Sequence, residues 1–307
     1  NIFLLQVPMD PSFPYLGQLM AFTTAWVWAF AVILFKKSGE TVHPVGLNFF
    51  KNSLATLLFL PTLWLFGEVL FRKVAVTEYL LLLGSGALGI GIADTLFFMS
   101  LNRLGAALSA VVDCLYSPFV VSLSFLWLGE TMSIWQFVGL GMIVSAVLTA
   151  VRRTGKVPIS RRDLILGVIF GVTAMASMAV GIVMIKPLLT RSPLLWSTQI
   201  RLFGGAAILG PLILFHPARR LITSSIITQR SWRYTLFGSV LGAYFSMVLW
   251  LAGFKYTQAS TAAALNQTSN IFVFVFAAIF LHEAMTLPRI VGIIVAIAGA
   301  FLVTFAG

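Results

Sequence analysis

Two carboxylates stand inside apolar sequence in ADTLFFMSLNRLGAALSAVVDC, residues 93–114, where Asp94 and Asp113 flank a short polar turn at Asn102 and Arg103. On helices rising about 1.5 Å per residue, both lie about 13–15 Å from that turn, so an antiparallel hairpin sets them at nearly one depth. An ionised aspartate at the centre of a bilayer costs about 2.5–3.5 kcal/mol on insertion scales, and such residues usually face a bundle interior or water. Two readings are open. In the first, the pair is a cation or proton site, where one carboxyl holds a proton until a basic group, a cationic ligand or water displaces it. In the second, each is neutral, paired with Lys51, or hydrogen-bonded to Ser100, Ser109 or Asn102 to hold helices together.

Other polar residues share the apolar background. Lys51 and Arg201 each sit about two turns into a helix and have three open roles. They form gates across the two halves (Lys51 with Glu283, Arg201 with Glu130), bind an anionic substrate group, or snorkel to headgroups. The run AAALNQTSN, residues 262–270, turns Asn266 and Asn270 onto one helical face and is expected to line a cavity. In DCLYSP, Tyr116 and Ser117 precede Pro118, which frees a backbone carbonyl at depth. Trp26, Trp28 and Trp250 either stack on a planar or cationic substrate or pack the core. Trp135, Trp196 and Trp232, near span ends, are expected as interfacial anchors. The expected substrate or proton site is therefore Asp94, Asp113, Asn266, Asn270, Tyr116, Trp250 and Trp28, with Lys51, Arg201, Glu130 and Glu283 as gate or anion contacts. No catalytic group, metal or cofactor is expected. The sequence holds no GxxxxGK[ST] or HExxH, and His43, His216 and His282 lie in or beside loops.

The elements that must carry these residues follow from composition. Of 307 residues 59% are hydrophobic and only 9% charged, against about 25% charged in a soluble domain. This predicts an all-α membrane protein. Apolar stretches of about 20 residues, long enough to cross a hydrocarbon core, fall near 15–35, 45–66, 79–100, 105–128, 133–151, 163–186, 194–215, 232–254, 258–281 and 286–306. The opening NIFLLQVPMDPSFP has no basic n-region, so the first of these is expected to be a retained helix. Most of the 20 Lys and Arg residues fall in loops of one side, among them Lys36, Lys37, Arg152, Arg153, Arg219 and Arg220. The positive-inside rule makes that side cytoplasmic and puts both termini outside. The net charge of +11 reads as topology and attraction to anionic lipid, since charges in separated short loops do not make a nucleic-acid face.

The sequence repeats itself. Residues 87–151 align on 240–304 without a gap, bringing Gly89 onto Gly242, LGETM with Glu130 onto LHEAM with Glu283, and Gly139 onto Gly292. Earlier, Gly17 meets Gly167, Lys36 meets Lys186, Lys51 meets Arg201 and Pro61 meets Pro211. The expected organisation is an N-terminal segment 1–14, a first five-helix repeat 15–151, a basic linker 152–162 and a second five-helix repeat 163–307. An odd number of spans per repeat inverts the second copy, the architecture of secondary transporters with a site near mid-depth. Asp94 and Asp113 break the symmetry, falling opposite Met247 and Asn266.

Two five-helix halves, each with LGE or LHE before a glycine-containing last helix and a basic residue early in its second helix, resemble the EamA-type family of the drug/metabolite transporter superfamily. The resemblance covers nearly the whole chain and implies a secondary carrier, expected to export small metabolites such as amino acids, amines or drug-like compounds by alternating access. It also implies a plasma membrane of bacterial type. Expected partners are a small-molecule substrate, membrane lipids and protons as a candidate coupling ion, without nucleic acid; a monomer suffices and a dimer is allowed. The alternatives are a non-transporting membrane scaffold, a sugar-nucleotide carrier and a lipid-modifying membrane enzyme.

Overall fold

The computed structural model describes residues 15–129, 133–152, 159–230 and 232–305. In chain order its helices are α1 Leu16–Ser38, α2 Pro44–Leu65, α3 Val76–Leu104, α4 Ala106–Leu128, α5 Ile134–Arg152, α6 Arg161–Val183, the short α7 Lys186–Arg191, α8 Leu194–Phe215, α9 Arg219–Ile227, α10 Trp232–Tyr256, α11 Ala259–Leu281 and α12 Leu287–Phe305. Seven of them (α1, α3, α4, α6, α8, α10 and α11) are long and apolar enough to cross a membrane. Their outward faces remain apolar, with Leu126, Phe215, Phe237 and Ile279 more than half exposed. A helix apolar on every side needs lipid as its outer solvent.

Local chemistry sets the helix ends. At the start of α2, His43 Nδ1 accepts a hydrogen bond from the Val45 amide at 3.3 Å, and Pro44 occupies the first turn, where its missing N–H costs nothing. Ser160 caps α6 by accepting from the Asp163 amide at 3.0 Å and donating to Asp163 Oδ2 at 2.6 Å. Helix α3 stops at Gly105, whose φ of +80° suits glycine.

Two helices lie outside the ten expected stretches. The chain turns at Met184 and Ile185, so α7 breaks away from α6. The segment 216–231, left between two of the expected stretches, contains α9. It is held by Ile222, fully buried against Val45 and Ile213, and by Ser225 Oγ, which accepts from the His43 amide at 3.1 Å.

The two halves pack by exchange. Helix α1 lies along α10 and α11, while α6 lies along α3 and α4; α2 packs on α8, and α5 on α12. The interruptions repeat as well. A π-helical turn at Ala87–Ala93 in α3 recurs at Val240–Phe245 in α10, and the break after Asp113 in α4 recurs after Asn266 in α11. Lys36 donates to the carbonyls of Leu101 (3.2 Å) and Asn102 (3.3 Å) at the end of α3. Its counterpart Lys186 donates to Phe254 and Thr257 at the end of α10. A cation there meets the unsatisfied carbonyls and negative pole of a helix C-terminus.

Glycine allows the closest crossing. A Cβ on Gly86 would stand 1.8 Å from the Arg201 carbonyl oxygen, and one on Gly204 would stand 2.0 Å from that of Leu83, so backbones of α3 and α8 touch. A Cβ on Gly84 would meet nothing nearer than Met184 Cε at 4.0 Å. Gly86→Ala is expected to lower the melting temperature in detergent, at a cost of at least about 1–3 kcal/mol for overpacking, while Gly84→Ala melts near the native value; equal melting of the two would refute this packing.

A second expectation concerns pH. His43 and His216 rings lie 6.1 Å apart, and both Nδ1 atoms accept backbone N–H groups, from Val45 and from Ala218 at 3.0 Å. Burial first, then the neighbouring His216, holds the His43 imidazole below its ordinary value. The folded state therefore binds fewer protons than the unfolded one, and the stability present above the ordinary imidazole value of about 6.5 is lost as pH falls below it toward the folded value. Melting should drop from about pH 7.5 to about pH 5.5, and His43→Asn, which retains a cap, should flatten that slope; an unchanged slope would remove His43 as its source.

Candidate functional site

One cavity of about 840 Å³, counting open space at its mouth, lies between the halves and is lined from α1, α2, α3, α4, α6, α8, α10 and α11. Its walls come from the interruptions. Gly89 and Gly242 lie in the two π-helical turns, and Asp113 and Asn266 end the first halves of α4 and α11. Broken helices at mid-depth place backbone groups and helix termini where an ion or polar ligand can use them.

The break in α4 follows from Pro118. Its ring cannot donate to the carbonyl of Cys114, four residues earlier, and crowds that oxygen. Gln267 Nε2, from the matching break in α11, donates instead to the carbonyls of Asp113 (3.3 Å) and Cys114 (3.4 Å). Asn270 Nδ2 reaches Gln267 Oε1 at 2.5 Å and Cys114 Sγ at 3.3 Å. The two breaks therefore touch. At the π-helical turn of α3, Asn48 Nδ2 lies within reach of the carbonyls of Ile90 (2.8 Å) and Gly91 (3.2 Å) and of Thr95 Oγ1 (2.9 Å). Asn52 Nδ2 in turn donates to Asn48 Oδ1 at 2.7 Å.

Charge inside the cavity is divided unequally. Lys51 Nζ contacts Asp94 Oδ2 at 2.6 Å, with side-chain exposures of 1% and 5%, and the ammonium lies 5.7 Å from the Phe98 ring. Arg201 is equally buried; its guanidinium lies 5.2 Å from the Trp250 ring and faces the space left by Gly89, where a Cβ would stand 3.2 Å from Nη2. Arg201 Nε and Nη1, Asp113 Oδ1 and both polar atoms of Asn266 have no protein hydrogen-bond partner. Buried donors and acceptors left open are costly, and a ligand that fills them recovers that cost.

The structure places Asp94, Asp113, Asn266, Asn270, Tyr116, Trp250 and Trp28 in the lining of this cavity, together with Lys51 and Arg201. Other expectations need correction. Lys51 does not meet Glu283, because Asp94 takes it inside the cavity. Glu283 lies at another depression, beside Lys36, Lys37 and Glu40. There its two oxygens accept from the amides of Ala106 (2.8 Å) and Ala107 (2.9 Å), at the positive, donor-rich start of α4. Glu130, the expected partner of Arg201, lies outside the described residues. Neither Lys51 nor Arg201 snorkels, each being about 1% exposed. Ser100 serves the Gly167 carbonyl (2.8 Å), not an aspartate.

Trp26 faces outward, 49% exposed, and packs on Phe272 with ring centroids 4.3 Å apart. Trp196 is no interfacial anchor: it is fully buried, its Nε1 donating to the Leu70 carbonyl at 2.9 Å. Sequence reasoning missed Met175 and Met178 of α6, Phe97 of α3 and Ser246 of α10, which also line the cavity. The aligned glycines Gly89 and Gly242 were the available signal for α3 and α10.

Removing one member of the buried pair should be costly. Lys51→Met or Asp94→Leu alone is expected to lose about 3–5 kcal/mol, while the two together recover most of it. A double-mutant cycle on unfolding in detergent checks this, and additive losses would dissolve the pair.

Comparison with known proteins fits this arrangement. The sequence model of the EamA-like transporter family matches residues 15–152 and 165–305, one match per half. An "Uncharacterized transporter" of Archaeoglobus fulgidus is 27% identical over 287 residues, which cover 92% of this chain and 96% of that protein. A solved crystal structure superposes with a TM-score of 0.72 at 16% identity, covering 94% of this chain and 96% of the other, and so shares the fold. With both repeats matched, the chain belongs to the EamA-like transporter family of the drug/metabolite transporter superfamily and is an integral membrane transporter.

Proposed function

We propose that the chain is a ten-helix secondary carrier that exports small organic carboxylates with an apolar or aromatic body, amino acids being the class its cavity fits best. Beyond the seven long apolar helices, α2, α5 and α12 complete five spans per repeat, and the inverted pair exposes the cavity to each side in turn. The carrying observation is that an open guanidinium and an open carboxyl line the same cavity. Arg201 offers Nε and Nη1 to a substrate carboxylate, Asp113 offers Oδ1 to an ammonium, and Trp28 and Trp250 flank the body between them. A guanidinium recognises a carboxylate through charge-assisted, often bidentate hydrogen bonds. The Trp250 face behind Arg201 supports the cation where water is scarce. The membrane is of plasma-membrane type, with both termini outside and the monomer sufficient for transport.

Counterflow in proteoliposomes tests this reading with labelled amino acids, amines and sugar nucleotides. Native protein should exchange amino acids, and Arg201→Gln should reduce that exchange at least about tenfold, equivalent to about 1.4 kcal/mol. Folded native protein that exchanges none of the three classes would favour the scaffold reading; exchange of amines unaffected by Arg201→Gln would move the substrate class to cations.

A further inference from the structure

The two repeats supply unequal charge to the shared cavity. The first contributes Lys51, Asp94 and Asp113; the second contributes Arg201 alone, because Met247 and Asn266 stand where Asp94 and Asp113 stand in the first. Lys51 and Asp94 neutralise each other at 2.6 Å. This leaves one cation, Arg201, and one carboxylate, Asp113, neither in an ion pair among the described residues. From α1, α6, α10 and α11 only neutral side chains line the cavity, including Trp28, Met175, Trp250 and Asn266. On α4 itself the titratable neighbours of Asp113 are Cys114 and Tyr116. Glu283 binds the opposite end of the same half-helix.

Resting on the carrier reading above, we propose that Asp113 is the proton-coupling carboxylate of this carrier and that Asp94 is not. Three states keep the cavity neutral. When it is empty, an ionised Asp113 and Arg201 leave the cavity without net charge. When a zwitterion binds, its carboxylate takes Arg201 and its ammonium takes Asp113. When a carboxylate without an ammonium binds, it neutralises Arg201, and Asp113 takes a proton from the aqueous side to which the cavity is open. That proton returns to water when the ligand leaves. An uncompensated charge at this depth is expensive, so charge balance drives the proton step. Asp94 has no such freedom, since Lys51 compensates it in all three states. The repeat supplies a structural control: Asn266 ends its half-helix at the matching break, so the break itself does not require an ionisable group.

The probes are phenylalanine and 3-phenylpropanoate, the same skeleton without the ammonium. Binding is followed by intrinsic tryptophan fluorescence, and proton uptake by a pH dye in weakly buffered detergent. Native protein should take up a proton with 3-phenylpropanoate and none with phenylalanine. Its affinity for 3-phenylpropanoate should fall as pH rises, by up to about tenfold per pH unit for one linked proton. Asp113→Asn should abolish the difference in uptake and that pH dependence while still binding 3-phenylpropanoate, whereas the double variant Lys51→Met with Asp94→Leu, which removes both charges of the pair and leaves the net charge of the cavity unchanged, should keep both. Equal uptake for the two probes in native protein overturns the proposal without any variant, and so does a difference that survives in folded Asp113→Asn. If native protein binds neither probe, the substrate reading itself fails and takes this proposal with it.

Discussion

Backbone polar groups that the bilayer interior strips of water need a partner, and this constraint governs where these helices can be interrupted. The chain interrupts them inside the long apolar helices of both repeats, at π-helical turns in α3 and α10 and at breaks in α4 and α11. Amide side chains from neighbouring helices then satisfy the released carbonyls. Asn48 serves Ile90 and Gly91, and Gln267 serves Asp113 and Cys114. Because each partner comes from a different helix, the irregular backbone also fastens helices to one another. The cavity is what remains open beside these repairs.

Pseudo-symmetry explains most of the frame and little of the chemistry. Lys36 and Lys186 cap corresponding helix ends, and Pro61 and Pro211 occupy corresponding helices. Gly17 and Gly167 admit the ends of α10 and α3 at corresponding crossings, where a Cβ would stand within 2.7 Å of the facing chain. The charged lining breaks the pattern. Two aspartates occur in one half and none at the matching positions of the other, so a symmetric scaffold encloses an asymmetric site.

Electrostatics separates two kinds of carboxylate. Glu283 and Glu68 act at the ends of helices: Glu283 accepts amides at the start of α4, and Glu68 accepts the Trp196 amide of α8 at 2.9 Å. Burial dominates at Glu68 and holds its carboxyl above the ordinary range, with the Trp196 amide, Arg72 and Lys255 opposing. The helix N-terminus supplies donors and a positive pole to such groups. Asp94 instead depends on a buried ammonium, an arrangement whose desolvation cost demands close geometry. Asp113 has neither kind of support from the protein, which sets it apart from Asp94, Glu68 and Glu283.

Much of the frame was legible in the sequence, because hydropathy has a length scale fixed by the bilayer and duplication leaves glycine, proline and charge at matched positions. The long apolar stretches and the duplication required nothing more. The polar run at 262–270 also declared itself, since polar residues are rare in lipid-facing sequence. Partners were a different matter. Lys51 could meet Glu283, Asp94 or a headgroup by its sequence position, and only the crossing of α2 with α3 selects Asp94. Trp26 and Trp28 stand two residues apart, yet one faces outward and the other the cavity, because helix rotation is set by packing on α10 and α11 and not by apolarity. Composition and periodicity thus determined by themselves that the chain would be a duplicated helical membrane protein; only tertiary packing decided which charges compensate one another, because in an apolar interior that depends on distances of a few ångströms between helices remote in sequence.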